Sequence, residues 1–359
     1  MMDRQKLLRL IAALSNANGA SGFEDDVVEV LREHTAGLGE QEEDRMRNFY
    51  LRRPGADNAL PTVMLDAHTD EVSFMVRAIH PNGTLKFICL GGWVNCNLPA
   101  HRVRVRTEDG SYVPGVIVSK PPHFMSAAER QQMPAVEDLA IDIGALSADE
   151  VTERFRVRIG APVVPDVEMY HDAARDLLIG KAFDCRLGCA AAVSTMEQIK
   201  DDALEVNVTA SFSTQEEVGS RGASVSVHRI KPNLAIVFEG CPADDTFGES
   251  YAMQTKIKHG PYLRHIDARM ITHPRFQRFA LDLAREKQIP VQEGVRTGGS
   301  TDGAPIHVYG NGVPTIVIGV PVRYIHTHHG IACVSDVEQS AALAREVLRA
   351  LDREALNGF

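Results

Sequence analysis

Apolar side chains recur at helical spacing at the amino end, where Leu7, Leu8, Leu10, Ile11 and Leu14 share one face and Asn18-Gly19 supplies a stop. Ser21 followed by Glu24 has capping-box spacing, and Val27, Val28, Val30 and Leu31 continue the apolar face of a second helix. Thr62 to Leu65 reads as a short buried strand that runs into the polar cluster Asp66-Ala67-His68-Thr69-Asp70-Glu71. From Val72 to about Pro165 the texture changes to short alternating stretches with hairpin-type turns at Asn82-Gly83 and Asp109-Gly110. Within that region Pro121-Pro122 rules out a regular helix, Ser126 to Gln132 predicts one short helix, and Leu139 to Gly144 returns to a strand.

After Gly180 strands and helices alternate. The pattern predicts a helix over 185–199, strands over 206–212 and 234–238, a helix over 276–287, a strand over 315–318 and a closing helix over 337–351. Such alternation implies an α/β fold with a mostly parallel sheet flanked by helices. The expected organisation is a discontinuous main domain, residues 1–71 with 166–359, interrupted by a small β-rich domain over 72–165.

A chain of 359 residues exceeds the size at which one core usually stops growing, which suits a large domain with an insertion. The net charge of -10 argues against a nucleic-acid partner, because phosphate binding needs a basic surface. No apolar run has the length of a membrane span, and the start lacks a secretion-signal pattern, so a cytoplasmic protein is expected. Six cysteines without a dense paired framework read as free thiols.

The chemistry gathers where strands end, which is where open α/β sheets bind ligands. His68 and Asp70 follow the Thr62 strand, Asp184 precedes the helix at 185, Glu216 and Glu217 follow the Val206 strand, Glu239 ends the Leu234 strand, and His326 follows the Thr315 strand. Any one of these alone is more readily a cap or a solvated side chain; five segments converging on one edge are not. Two histidines with several carboxylates suit zinc, cobalt or manganese, and two ions sharing a carboxylate use the whole set. In that arrangement His68 and His326 hold one ion each, Asp184 bridges, Glu217 and Glu239 complete the shells, and Asp70 fixes the His68 tautomer. Of the adjacent acids Glu216 and Glu217, one can ligate while the other moves a proton. Spacing alone does not separate His326 from His328 or His329. Cys185, Cys189 and Cys241 lie near proposed ligands and read as packed thiols.

Ala67-His68-Thr69-Asp70-Glu71-Val72, Gly91-Gly92-Trp93, Pro121-Pro122-His123, Ile141-Asp142-Ile143-Gly144, Ala182-Phe183-Asp184, Gln215-Glu216-Glu217-Val218-Gly219, Gly298 to Ala304 and Arg323-Tyr324-Ile325-His326 follow one another in order. With these stretches the chain resembles the tetrahedral, or glutamyl, aminopeptidases, a family of dinuclear metallopeptidases that includes endoglucanase-like members. The resemblance implies His68, Asp184, Glu217, Glu239 and His326 as metal ligands, Glu216 as general base and Asp70 as the acid behind the first histidine. It further implies two divalent ions per subunit, peptide substrates with a free amino terminus, and a homo-oligomer of twelve subunits. Two positions depart from the family pattern: Cys185 stands where a second Asp usually follows the bridging one, and Glu239 stands where many members have Asp. The reading is an aminopeptidase; hydrolysis of another amide or N-acyl bond, glycoside cleavage, and an inactive metal-stabilised assembly are its rivals. Glycosidases flank the sugar bond with two carboxylates and need no histidine-rich metal set, and a structural site needs no general base.

Overall fold

Strand edges and helix faces follow the side-chain periodicity closely in the computed structural model, which describes residues 2–359. Two helices, Arg4–Asn16 (α1) and Asp25–His34 (α2), precede the strands Glu40–Glu43 (β1), Phe49–Arg52 (β2) and Thr62–His68 (β3). Six strands come next: Ser73–Ile79 (β4), Leu85–Leu90 (β5), Arg102–Arg106 (β6), Tyr112–Val118 (β7), Ala140–Asp142 (β8) and Pro162–Pro165 (β9). They close into a barrel in the order β4-β5-β8-β7-β6-β9 around Phe74, Phe87, Val103, Val105, Ile117, Ile141 and Val163. The chain then returns through Tyr170–Asp172 (β10), Leu177–Gly180 (β11), Phe183–Ile199 (α3), Asn207–Ser213 (β12), Arg221–Ile230 (α4), Leu234–Pro242 (β13) and Tyr262–Ile266 (β14). Pro274–Glu286 (α5), Gln292–Val295 (β15), Gly303–His307 (α6), Thr315–Val322 (β16), Gly330–Ala332 (β17), Val334–Ala350 (α7) and Arg353–Asn357 (α8) complete it.

Eight strands form the main sheet, in the order β1-β2-β12-β3-β13-β16-β14-β15. Its centre is parallel, β12 on β3, β3 on β13 and β13 on β16, while β2 and β14 run antiparallel to their inner neighbours. The sheet is therefore mixed, parallel at its centre, with antiparallel pairings at β1-β2, β2-β12 and β14-β16 and a parallel pair β14-β15 at one edge. Alternation along each central strand serves two cores, as a sheet covered on both faces requires. Val63 and Leu65 of β3 and Leu234, Ile236 and Phe238 of β13 face α1, α3 and α7, whereas Met64, Ala235 and Val237 face Ala223 and Val227 of α4 and Ile306 of α6. Because the four central strands are parallel, their carboxyl ends lie along one edge, with Ser213 in register with His68 and Glu239 with Gly319.

Two local expectations differ from what is found, and some strands have no counterpart in the sequence pattern. Ser21 and Glu24 do not form a capping box: α2 begins at Asp25 with no side-chain cap, and both residues bond instead to the strand-end loops. The stretch 126–132 contains one 3₁₀ turn, Glu129–Gln131, and no α-helix, since a prolyl-rich approach leaves little room to propagate one. The outer strands β1, β2, β14 and β15 and the small sheet β10-β11-β17 carry too weak a pattern to have been predicted.

Candidate metal centre

His68 is the last residue of β3, fully buried, and its two ring nitrogens face opposite ways. Nε2 lies 3.2 Å from Asp184 Oδ1 and 3.4 Å from Glu239 Oε1, while Nδ1 lies 3.3 Å from Asp70 Oδ1. Asp184 uses its other oxygen on a second histidine: Oδ2 is 3.2 Å from His326 Nε2, which is itself 3.6 Å from Glu217 Oε2. His326 Nδ1 contacts the Gly92 carbonyl oxygen at 2.9 Å, so the barrel orients this ring. Of the three neighbouring histidines, His326 alone meets the carboxylates. His328 is buried and stacked on His101 at 3.8 Å, and His329 is exposed.

Each loop holds its side chain by a constrained backbone. Ala182, Gln215, Ser220, Tyr324 and His326 all have positive φ, 52° to 60°, a region that costs non-glycine residues energy and is retained where surrounding contacts demand it. Asp184 and Cys185 depart from helical angles at the start of α3, which turns the Asp184 carboxylate toward both histidines. Asp70 ties the loops together: its Oδ1 accepts from the Glu216 N–H at 2.9 Å, and its Oδ2 from the Glu217 N–H at 3.2 Å and from Ser21 Oγ at 2.6 Å. Glu24 accepts from the Gln215 N–H at 3.1 Å, one residue before the acidic pair. Ser21, Glu24 and the Gly92 carbonyl were not visible as site residues in the sequence, since a backbone carbonyl and two residues at cap spacing carry no chemical signature.

The donor set fits divalent cations. Two groups of donor atoms lie within 4.8 Å of one another: His68, Asp184, Cys185 and Glu239, and Asp184, Glu217 and His326. Glu217 Oε1 and Glu239 Oε2 are buried without a hydrogen-bond partner, a costly state for a carboxylate that bound cations would relieve. Burial, with repulsion from Asp184, pushes both glutamates well above the usual carboxyl range. Burial opposes a charge on His68, yet the Cys185 sulfur and the surrounding Asp184, Asp70 and Glu239 hold its pKa well above that of a free imidazole. Burial also raises Glu216, to about 7, and Ser220 Oγ bonds its Oε1 at 3.3 Å.

A cavity of about 790 Å³ opens over this edge, lined by Asp184, Glu216, Glu217, Glu239 and His326. Arg264, Arg269, Arg296 and Ser300 line it as well. Arg264 Nε, Arg296 Nε and Ser300 Oγ are buried there without partners.

Residues 48–343 match the M42 glutamyl aminopeptidase family. The chain belongs to that family. It is 32% identical to a glutamyl aminopeptidase of Lactococcus lactis, over 97% of this chain and 98% of that one. A TET aminopeptidase from the marine sediment archaeon Thaumarchaeota archaeon SCGC AB-539-E09 superposes with a TM-score of 0.94 at 36% identity, covering 99% of both chains. The Pyrococcus horikoshii TET1 peptidase, which can assemble into a tetrahedron or a large octahedral shell, superposes at 0.86 with 25% identity, over 96% of this chain and 100% of that one. This M42 chain is accordingly a metallo-aminopeptidase, a hydrolase with candidate donor groups for its metal at the edge just described. None of its described helices is long and apolar enough to cross a membrane.

Proposed function

We propose that the chain removes amino-terminal residues from peptides with two divalent ions, zinc or cobalt with manganese as a third choice. One would be held by His68, Asp184 and Glu239, the other by Asp184, Glu217 and His326. The observation that carries this reading is the division of Asp184, whose two oxygens sit 3.2 Å from different histidines, each with its own glutamate. When bound, two such ions supply Lewis-acid polarisation of the scissile carbonyl and a water of lowered pKa. Glu216 takes a proton from the attacking water and delivers it to the leaving amine nitrogen, a role suited to a carboxylate lifted toward neutral pH. Asp70 acts through its neighbours, fixing the His68 ring and the backbone N–H groups of Glu216 and Glu217.

The three arginines that line the cavity, Arg264, Arg269 and Arg296, favour an acidic side chain on the first residue by their positive charge. The name of the Lactococcus relative agrees with that preference. Residues 72–165 serve as a separate oligomerisation domain and the protein works in the cytoplasm; the working form is a twelve-subunit homo-oligomer, a reading supported by the dodecamer of the P. horikoshii relative PhTET1.

The test pairs two variants with two peptides. Glu216→Gln should abolish turnover with metal content unchanged, and Glu217→Gln should lower metal content as well, measured by elemental analysis. Peptides with a free amino terminus should be shortened stepwise from that end, and their acetylated counterparts should be cut more slowly by about a hundredfold, because a misplaced end displaces the scissile bond. Equal cleavage of both peptides would assign the site to another amide hydrolase; metal loss in the Glu216 variant alone would exchange the two roles.

A further inference from the structure

Cys185 is the one member of the buried donor group that the proposed function leaves idle. Its Sγ lies within 4.8 Å of a ring nitrogen of His68 and of carboxylate oxygens of Asp184 and Glu239, as they do of one another. The residue is fully buried, and Sγ donates only to the Phe238 carbonyl oxygen, at 3.2 Å, one residue before Glu239. Gly188 makes room for it: a Cβ there would fall 2.3 Å from the sulfur. The second group, Asp184, Glu217 and His326, contains no sulfur, and all its members line the open cavity, whereas in the first group Asp184 and Glu239 line it and His68 and Cys185 lie behind them, fully buried. The centre is therefore asymmetric in both chemistry and access.

We propose that Cys185 is a sulfur ligand to the metal held by His68, Asp184 and Glu239, which makes that position a zinc-selective, slowly exchanging site beside an open, exchangeable one. The inference rests on the two-ion reading above. A thiolate is a soft donor that favours zinc over manganese or magnesium, and a set whose nitrogen and sulfur donors are fully buried has the character of a retained site. The position open to the cavity keeps only nitrogen and oxygen donors and is the one free to meet substrate. On coordination the thiol gives up its hydrogen bond to the Phe238 carbonyl, its proton passes to water, and a sulfur–metal bond takes its place. The rival is an inert packed thiol, the state of Cys189, whose Sγ donates to the His68 carbonyl oxygen at 3.1 Å.

The full-length protein, stripped by chelator and kept anaerobic, is titrated with cobalt(II) and followed by absorption. Visible ligand-field bands report cobalt in the centre, and an intense near-ultraviolet band reports thiolate-to-cobalt charge transfer. The wild type and Cys189→Ser should show both with the first equivalent, while Cys185→Asp and Cys185→Ser should keep the visible bands and lose the ultraviolet one. In zinc-against-manganese competition, Cys185→Asp should lower the zinc preference of the first equivalent by at least about tenfold. Visible bands without charge transfer in the wild type, or charge transfer that survives in Cys185→Asp, overturn the sulfur ligand and leave the two-ion reading standing. Absence of any cobalt spectrum overturns both. The wild-type spectrum decides the matter even if a variant fails to fold.

Discussion

Asp70 is fully buried, and burial opposes its charge, yet the His68 ring, Ser21 and the Glu216 N–H hold its carboxyl below the usual range. One ionised group thereby fixes a histidine and two consecutive backbone amides, so the orientation of the Glu216–Glu217 pair depends on a residue far away in sequence. The cavity-lining arginines work by the opposite logic. Arg296 contacts Asp244 at 3.2 Å and Thr255 at 2.9 Å, and its Nε remains unpartnered. A charge-assisted bond from the cavity-lining guanidinium to a substrate carboxylate is worth about 1.5–3 kcal/mol. Arg296→Gln should accordingly lower kcat/KM for peptides beginning with Glu by about 10- to 100-fold and hardly change it for those beginning with Leu. Equal losses on both substrates would show that Arg296 supports the fold and does not read the first side chain. The convergence of His68 and the carboxylates on one edge is legible in the sequence because most of them follow an apolar strand, but spacing does not separate His326 from His328 and His329. Burial and a stacked partner, not spacing, make His328 something else. Arg264 and Arg296 carry no signal in the sequence for a related reason: an arginine near a strand end is ordinarily a surface residue, and only the fold brings the two to one cavity.

At the scale of elements, the junction between the barrel and the His326 loop rests on aromatic packing. His328 lies 5.1 Å from Trp93 and 6.4 Å from Phe74 of β4, with His101 stacked on its other face. Burial pushes its pKa down to about 3, aided by the nearby His101 and His329. The unfolded chain takes up this proton near pH 6.5 and the folded chain does not, so stability rises with pH across this window and is lost as the pH falls from about 6.5 toward 3. The slope approaches about 1.4 kcal/mol per pH unit for this single group. His328→Phe, which keeps a ring in the stack, should flatten that part of the stability curve, measured by denaturant unfolding at a series of pH values. An unchanged slope would place the acid sensitivity elsewhere. The central strands and large helices were readable because both faces of the sheet are covered, so the apolar runs are long. The edge strands were not, since β1 is Glu-Gln-Glu-Glu and owes its conformation to pairing with β2 rather than to its own residues. Ser21 and Glu24 were misjudged because local cap spacing cannot anticipate acceptors such as Asp70 or donors such as the Gln215 N–H.

For the whole molecule, the question is what limits the size of substrate that reaches the cavity. The cavity of about 790 Å³ has room for a few residues of extended chain, and nothing within one subunit covers it among the described residues. Enclosure by other subunits would supply that restriction, and it follows from the twelve-subunit assembly proposed above. Light scattering should return a mass twelve times that of the 39.3 kDa chain. The functional consequence separates enclosure from mere association. A flexible peptide and a small folded protein with the same first five residues are offered together, and the products are followed by mass spectrometry. In the assembled state the peptide should be shortened and the folded protein left intact. Dilution or mild salt that releases subunits, with metal content held constant, should then expose the folded protein's first residues to trimming. A monomer with full selectivity, or an assembly that trims both substrates alike, would mean that the subunits pack without closing a chamber, and the limit on substrate size would have to lie in the cavity itself.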